Sequence, residues 1–494
     1  MNSFIRTVAA AALVAIAWAA PALAAKDTIT LGVVLEPPHL DPTAGAAAAI
    51  DEIVYANIFE GLTRIGSKGE ILPALAESWD ISEDGKTYTF KLHTGVKFHD
   101  GTDFDANDVK FSLDRARAED STNAQKGLFK AIENVEVVDP ATVRITLSSP
   151  AGNFLFNMGW GDAVIVAPES ADGNKENPVG TGPFKFSNWA KGSAIEIVRN
   201  DAYWGNKVAL SKATFRIIPD ASAAIAALQA GDVDGFPNFP APEAVPAFQA
   251  DPRFSVVIGS TEGETILALN NKRAPFDNLK VRAAISSAID RQAIIDGAMF
   301  GLGTPIGTHF APHHPAYVSE TINTWPHDIE KAKALLKEAG FENGFKAKLT
   351  LPPPTYARRG GEIIASQLRE IGIEVEIIPV EWKQWLEGPF KGDFDMTIVS
   401  HTEPMDIGIY ANPDYYFGYD SKEFQAVMEK LNLTTDESAR YALMAEAQKI
   451  ISRDAVNVYL FELAKTGVWD ARIKGLWDNS PVQANDLTGV SWSE

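Results

Sequence analysis

The sequence predicts an α/β chain of two or three domains, and three observations carry the prediction. Its 494 residues exceed what one ordinary core organises. The C-terminal half repeats a helix–glycine–strand step: Asp328 is placed to cap a helix ending at Gly340, with Leu335, Leu336 and Ala339 inward. Ile364, Leu368 and Ile371 stripe a second helix, Gly372 ends it, and Ile373, Val375 and Ile377 alternate as the strand that follows. That order is a βαβ-type unit. The N-terminal half instead carries hairpins, with apolar residues at alternate positions between Trp79 and Leu147.

Taken in order, the chain opens on a segment outside that fold. Arg6 precedes an apolar run over residues 8–20, and Ala22-Leu23-Ala24 has the small-x-small form of a cleavage site. Residues 1–24 therefore read as a signal peptide for export. No later run approaches the length of a membrane helix. Residues 28–34 alternate as a first strand, residues 36–42 are extended and proline-rich, and residues 46–59 read as a helix on Ile50, Val54 and Ile58. Trp79 and Ile81, then Tyr88, Phe90 and Leu92, flank the turn Ser82-Glu83-Asp84-Gly85-Lys86 as a hairpin. Val96 and Phe98 continue the pattern to a turn at His99-Asp100-Gly101. Asp105 caps a helix, with Asp108 at its third position and Val109 and Leu113 on its buried stripe. A further hairpin runs from Val135 through Asp139-Pro140 to Leu147. Residues 396–399 form a short strand, after which Ser400 to Asp420 loses both regular periods while concentrating tyrosines, carboxylates and prolines.

Composition narrows the function. At 46 % hydrophobic and 22 % charged residues the chain is ordinary globular material. It has no cysteine, so an exported protein of this size relies on its own core, and no thiol follows the signal to carry a lipid anchor. Free diffusion in a periplasm fits. A net charge of −21 makes nucleic acid and anionic membranes poor partners. No nucleophile elbow, zinc-protease helix, P-loop or EF-hand pattern is present, so nothing argues for an enzyme or a cofactor. His313-His314 is an unpromising metal pair, because adjacent residues on an extended chain face opposite sides. A polar surface turn between Pro312 and Pro315 is expected there instead.

Five stretches in register then carry a resemblance. They are Pro73-Ala74-Leu75-Ala76 with Trp79, Asp84-Gly85-Lys86-Thr87-Tyr88-Thr89-Phe90, Gly95-Val96-Lys97-Phe98-His99-Asp100-Gly101, Ala106-Asn107-Asp108-Val109, and Pro178-Val179-Gly180-Thr181-Gly182-Pro183-Phe184. Arg199-Asn200-Asp201-Ala202-Tyr203-Trp204-Gly205 and Ala288-Ile289-Asp290-Arg291 extend them. Together they resemble the family 5 extracellular solute-binding proteins, the peptide- and nickel-type substrate-binding subunits of ABC importers. The resemblance implies a two-lobed periplasmic-binding-protein fold (type II, cluster C-like) with an extra α+β domain inserted in lobe I. Lobe I would comprise residues 25–65, 179–265 and 465–494, the extra domain residues 66–178, and lobe III residues 266–464. It further implies a monomer that captures a short peptide or small zwitterionic, amino-acid-like solute, closes on it, and docks on an inner-membrane permease. A binder of a metal chelate or haem is the alternative, with His401 as its contact.

Binding between two lobes needs a concave pocket with a few polar anchors. Three stretches qualify on chemistry. The loop after residue 399 offers His401, Glu403, Asp406, Tyr410, Tyr415 and Tyr416 as a cleft wall, although its rings could equally pack lobe III from within. Arg358 and Arg359 enter a helix and offer forked donors for an anion. Trp382 and Trp385 offer stacking faces, or a buried helical face at three-residue spacing. Gly180 and Thr181 could present backbone groups across the cleft, and Asn270 would sit near a crossover between lobes. By resemblance, an aspartate in the lobe III loop meets a peptide's α-ammonium and the arginines meet its carboxylate. Here His401-Thr402-Glu403-Pro404 replaces the expected tryptophan and aspartate, leaving Glu403 or Asp406 to substitute and pointing to a more specialised ligand.

Overall fold

The computed structural model describes residues 26–45, 47–403 and 406–493, so the expected signal peptide lies outside the described residues. An eleven-stranded mixed sheet runs through them. In spatial order its main path is Ile373–Pro379, Phe345–Leu351, Met396–His401, Phe254–Leu269, Asn457–Asp470, Gly235–Phe236, Thr28–Val33, Lys212–Ile217, Ala194–Arg199 and Phe184–Ala190. The two long antiparallel strands, Phe254–Leu269 and Asn457–Asp470, connect the halves of this sheet, and their register breaks between Ser260 and Glu264. A break of this kind locally uncouples the ladder and bends the strand.

The C-terminal helix–glycine–strand reading holds. Helix Ile329–Glu338 is capped by the Asp328 side chain, and Gly340 takes φ +87°. Helix Thr355–Glu370 leads through Gly372, φ +86°, into the strand Ile373–Pro379, which pairs in parallel with Phe345–Leu351. Both glycines sit where a side chain would meet the left-handed penalty. Ile364, Leu368 and Ile373 are fully buried in the core between these helices and the sheet.

The hairpin block forms a separate four-stranded antiparallel sheet, in the order Ala76–Ile81, Thr87–Leu92, Thr142–Leu147, Ile132–Asp139. Trp79 pairs with Phe90 and Ile81 with Tyr88, as the alternation requires. Helix Ala106–Arg117 contributes Val109 and Leu113 to the same core as Tyr88, Phe90, Val143 and Ile145. Its start is closed by a reciprocal capping box between Asp105 and Asp108, and such a cap contributes about 1 kcal/mol.

Three local expectations are corrected. Val96 and Phe98 do not extend the hairpin as a strand; the chain turns, with the Gly101 amide donating to the Phe98 carbonyl, and only Lys97 bridges to Asp103. The first helix covers Ala48–Val54 rather than running to residue 59. There the Asn57 amide donates to the carbonyls of Ile53 and Asn485, and Ala56 takes φ 57°, so side-chain bonding to the backbone competes with the helix. His313-His314 is no surface turn: the two imidazoles are buried, with His313 Nε2 2.7 Å from Glu262 and His314 packed edge-on against Phe310. Among the described residues no helix is long and apolar enough to cross a membrane.

Candidate ligand-binding cleft

The hairpin block and the C-terminal helices meet where the Gly152 amide donates to the Asn432 carbonyl at 2.8 Å. Beside this contact lies a cavity of ≈ 320 Å³. Asn153, Phe156 and Trp160 line one wall; Phe310, Glu403, Asp406, Arg440 and Met444 line the other. A neighbouring cavity of ≈ 240 Å³ shares Asn153, Phe156, Arg440 and Met444 and extends past His314 and Tyr441. The lining is apolar and aromatic with few charges, which is the usual make-up of a small-molecule site. Arg440 is the one lysine or arginine among the described lining residues of either cavity; its Nη1 donates to the carbonyls of Leu431 and Thr434.

The polar wall is organised around Asp406. Strand Met396–His401 ends on His401, and the turn Asp406–Ala411 returns Asp406 beneath it. His309 Nε2 lies 2.6 Å from Asp406 Oδ1, and His401 Nδ1 lies 3.3 Å from Oδ2. Burial pushes the Asp406 carboxyl up, but the two imidazoles outweigh it and hold the group well below the usual carboxylate range. Burial lowers the His309 pKa. A neutral His309 with its proton on Nε2 satisfies the chain: Asn457 donates to the Tyr410 hydroxyl, Tyr410 to His309 Nδ1, and His309 to the ionised Asp406.

The other proposed contacts are placed as follows. Tyr410 and Tyr416 are buried within the core of the C-terminal half, whereas Tyr415 is partly exposed. Trp385 is buried in the same core and donates from Nε1 to Thr397 Oγ1; Trp382 opens helix Trp382–Glu387 on the backbone. Arg358 and Arg359 lie inside helix Thr355–Glu370 and donate to backbone carbonyls, Arg358 to Pro352 and Val380, Arg359 to Gly297. Asn270 directs its amide to the carbonyls of Gly392 and Phe394. Thr181 donates to the half-buried Glu60 carboxylate, and Gly180 lies so close to the main chain that an added Cβ would stand 2.0 Å from the Ile58 carbonyl oxygen. Of these candidates, Glu403 and Asp406 line the larger of the two cavities, and none lines the other. Arg440, Phe156, Trp160 and His309 were not singled out from sequence. Residues 154–160, rich in aromatics outside any periodic element, were a usable signal for the second and third; Arg440 and His309 gave none.

A second buried cluster lies on the long crossover strands. Glu264 pairs in register with Glu462 on one side and with His401 on the other. Burial, then the neighbouring carboxylates, pushes both Glu264 and Glu462 well above the usual range, which favours their neutral forms.

Comparison with known proteins decides the family. The family described as bacterial extracellular solute-binding proteins, family 5 Middle, matches residues 70–425. The chain belongs to that family. It is the substrate-binding type of subunit that serves ABC importers. It is 32 % identical to the heme-binding protein A of Haemophilus influenzae, over 85 % of this chain and 84 % of that one. It is 31 % identical to the dipeptide-binding protein of Escherichia coli, over 78 % and 80 %. The structure of the periplasmic binding protein DppA from Helicobacter pylori in complex with peptide STSA superposes with a TM-score of 0.73 at 29 % identity, covering 95 % of this chain and 99 % of that one. The two-lobed family fold expected from sequence is thereby established.

Proposed function

We propose that this protein captures a short peptide or small zwitterionic, amino-acid-like solute in the periplasm and delivers it, as a monomer, to an inner-membrane ABC permease. The observation that carries the reading is the charge layout of the ≈ 320 Å³ cavity: carboxylates of Glu403 and Asp406 and the guanidinium of Arg440 line one space, with Phe156, Trp160 and Met444 between. An α-ammonium would meet the acids and a carboxylate would meet Arg440, which takes the part that Arg358 and Arg359 were expected to play. The relatives named for dipeptides and for peptide STSA support the ligand class. Residues 25–65, 179–265 and 465–494 would form lobe I, 66–178 its inserted domain and 266–464 lobe III. The register break between Ser260 and Glu264 would serve as the hinge on which the lobes close. No bond is made or broken.

Isothermal titration of the mature, untagged protein, stripped of ligand by unfolding and refolding, tests this against di- and tripeptides and amino-acid derivatives. Binding is expected, with Arg440→Gln weakening it by about tenfold or more, as loss of one partner of a buried charge pair requires. No heat and no shift in melting temperature across the whole series would sink the ligand class. A haem or metal-chelate cargo is the second reading, favoured by the relative named for haem. Its expected contact, His401, has Nδ1 3.3 Å from Asp406 and Nε2 3.2 Å from Tyr416. Haem absorbance on titration, or its absence, decides.

A further inference from the structure

We propose that His309, His401 and Asp406 form a binding site for a first-row divalent metal ion of the zinc–nickel type, held by the protein's own side chains beside the ligand cleft. The donor atoms of the three residues all lie within 4.8 Å of one another. Each comes from a different part of the chain: His309 from the segment after strand Gly303–Pro305, His401 from the end of a sheet strand, Asp406 from the first residue of the following turn. Two imidazoles and one carboxylate are a borderline donor set that suits Zn²⁺, Co²⁺, Ni²⁺ or Cu²⁺ and does not suit Mg²⁺ or Ca²⁺, which take oxygen.

Two further features separate this cluster from an incidental meeting of side chains. The ring nitrogens turned away from Asp406 are both met by tyrosine hydroxyls, His309 Nδ1 by Tyr410 at 3.3 Å and His401 Nε2 by Tyr416 at 3.2 Å. With a metal bound, His309 shifts its proton from Nε2 to Nδ1, so that both hydroxyls accept a ring N–H, orienting each imidazole and freeing His309 Nε2 and His401 Nδ1 as ligands, as partners behind metal-bound histidines do. The rings stand at 72° to one another with centroids 4.9 Å apart, so they converge on the carboxylate instead of stacking. The surroundings favour a cation. Glu403 acts electrostatically on the cluster, and none of the described ion pairs or hydrogen bonds brings a lysine or arginine to Asp406. Asp406 and Glu403 also line the cleft cavity, which gives an ion a path in and leaves a coordination position facing the cleft. Three protein ligands with one open position is the arrangement of a site that can accept a further ligand.

The test uses the mature chain without a histidine tag, stripped with a chelator and dialysed. Titration with Co²⁺ should produce the ligand-field absorption of a low-symmetry site, displaced by one equivalent of Zn²⁺, and Zn²⁺ should raise the melting temperature by mass action. Tyr416→Phe keeps the three ligands and should weaken Zn²⁺ binding about tenfold, the usual cost of losing a partner behind a metal-bound histidine. His401→Gln and His309→Gln should abolish the cobalt bands; circular dichroism and the melting curve report whether each variant is folded, and Tyr416→Phe carries the test if neither is. Absence of the bands in folded wild-type protein, or equal Zn²⁺ affinity and stoichiometry in wild type and folded His401→Gln, would overturn the site and leave the histidines as proton donors to Asp406 only. Peptide titration of the chelator-treated protein is a separate readout, so failure of the metal site and failure of the peptide reading are distinguishable.

Discussion

Asp406 and Glu264 sit on adjoining strands and turns, both largely withdrawn from water, and their carboxyl pKa values are pushed in opposite directions. Asp406 faces two imidazoles, which hold it low; Glu264 is raised by burial and then by Glu462. Burial acts in the same direction on both, so burial does not decide the outcome. The partners do: hydrogen-bond donors stabilise an anion, and a second carboxylate penalises it. The cavity wall at Asp406 therefore favours the anion, while the acids on the adjoining long strands are pushed towards the neutral form.

The largest effect should come from removing the partner that keeps Asp406 charged. In metal-free protein, His309→Leu is expected to destabilise by about 3 kcal/mol in urea melts, because it removes the shorter of the two hydrogen bonds that the Asp406 carboxylate accepts from imidazole. A cost below about 1 kcal/mol would break the comparison. His99 is a control, a half-buried histidine bonded to backbone: its Nε2 donates to the Gly182 carbonyl and its Nδ1 accepts from the Gly180 amide. Burial lowers its pKa to about 4. Its folded value is below the unfolded one, so its contribution is complete above pH ~6.5 and is lost as pH falls towards 4, up to about 3 kcal/mol. His99→Gln should remove that share of the acid limb in melts between those pH values.

Glu462 should act with the opposite sign. Burial, then Glu262, raises its folded pKa, so its contribution is complete below the unfolded value near ~4.3 and is lost as pH rises, at about 1.4 kcal/mol per pH unit until the folded value is passed. Glu462→Gln should flatten that slope; an unchanged pH profile would mean the crossover acids are charged after all. The smallest effect should come from Tyr416→Phe in metal-free protein. It removes one hydrogen bond to His401 while leaving both rings against Asp406, at a cost of about 1 kcal/mol.

The two halves differ in how far their residues could be read in advance. Hairpins and helix–glycine–strand steps are local: alternation at Tyr88, Phe90 and Leu92, caps at Asp105 and Asp328, and positive-φ glycines at 340 and 372 each act within a few residues. They emerged where the pattern placed them. The loop from 400 to 420 was conspicuous for its composition, but its role divided in a way composition cannot show. Its tyrosines mostly went into the core, Glu403 and Asp406 to the cavity, and Asp414 and Asp420 to the surface, because the choice depends on what packs behind each side chain. Trp385, Asn270 and Arg358 show the same limit, since each looked like a ligand contact and each makes hydrogen bonds within its own half of the chain.

The amino-acid order by itself determined the class of the chain, its alternating elements and the family, all of which rest on local periodicity or on contiguous motifs. Only the tertiary structure brought Arg440 to the cleft and set His309, 97 residues away in sequence, against Asp406. It also put Glu264 beside Glu462, nearly two hundred positions apart. Charge state follows from such long-range neighbours, because the electrostatic and hydrogen-bonding terms that set it act over a few ångströms of space and take no account of separation along the chain.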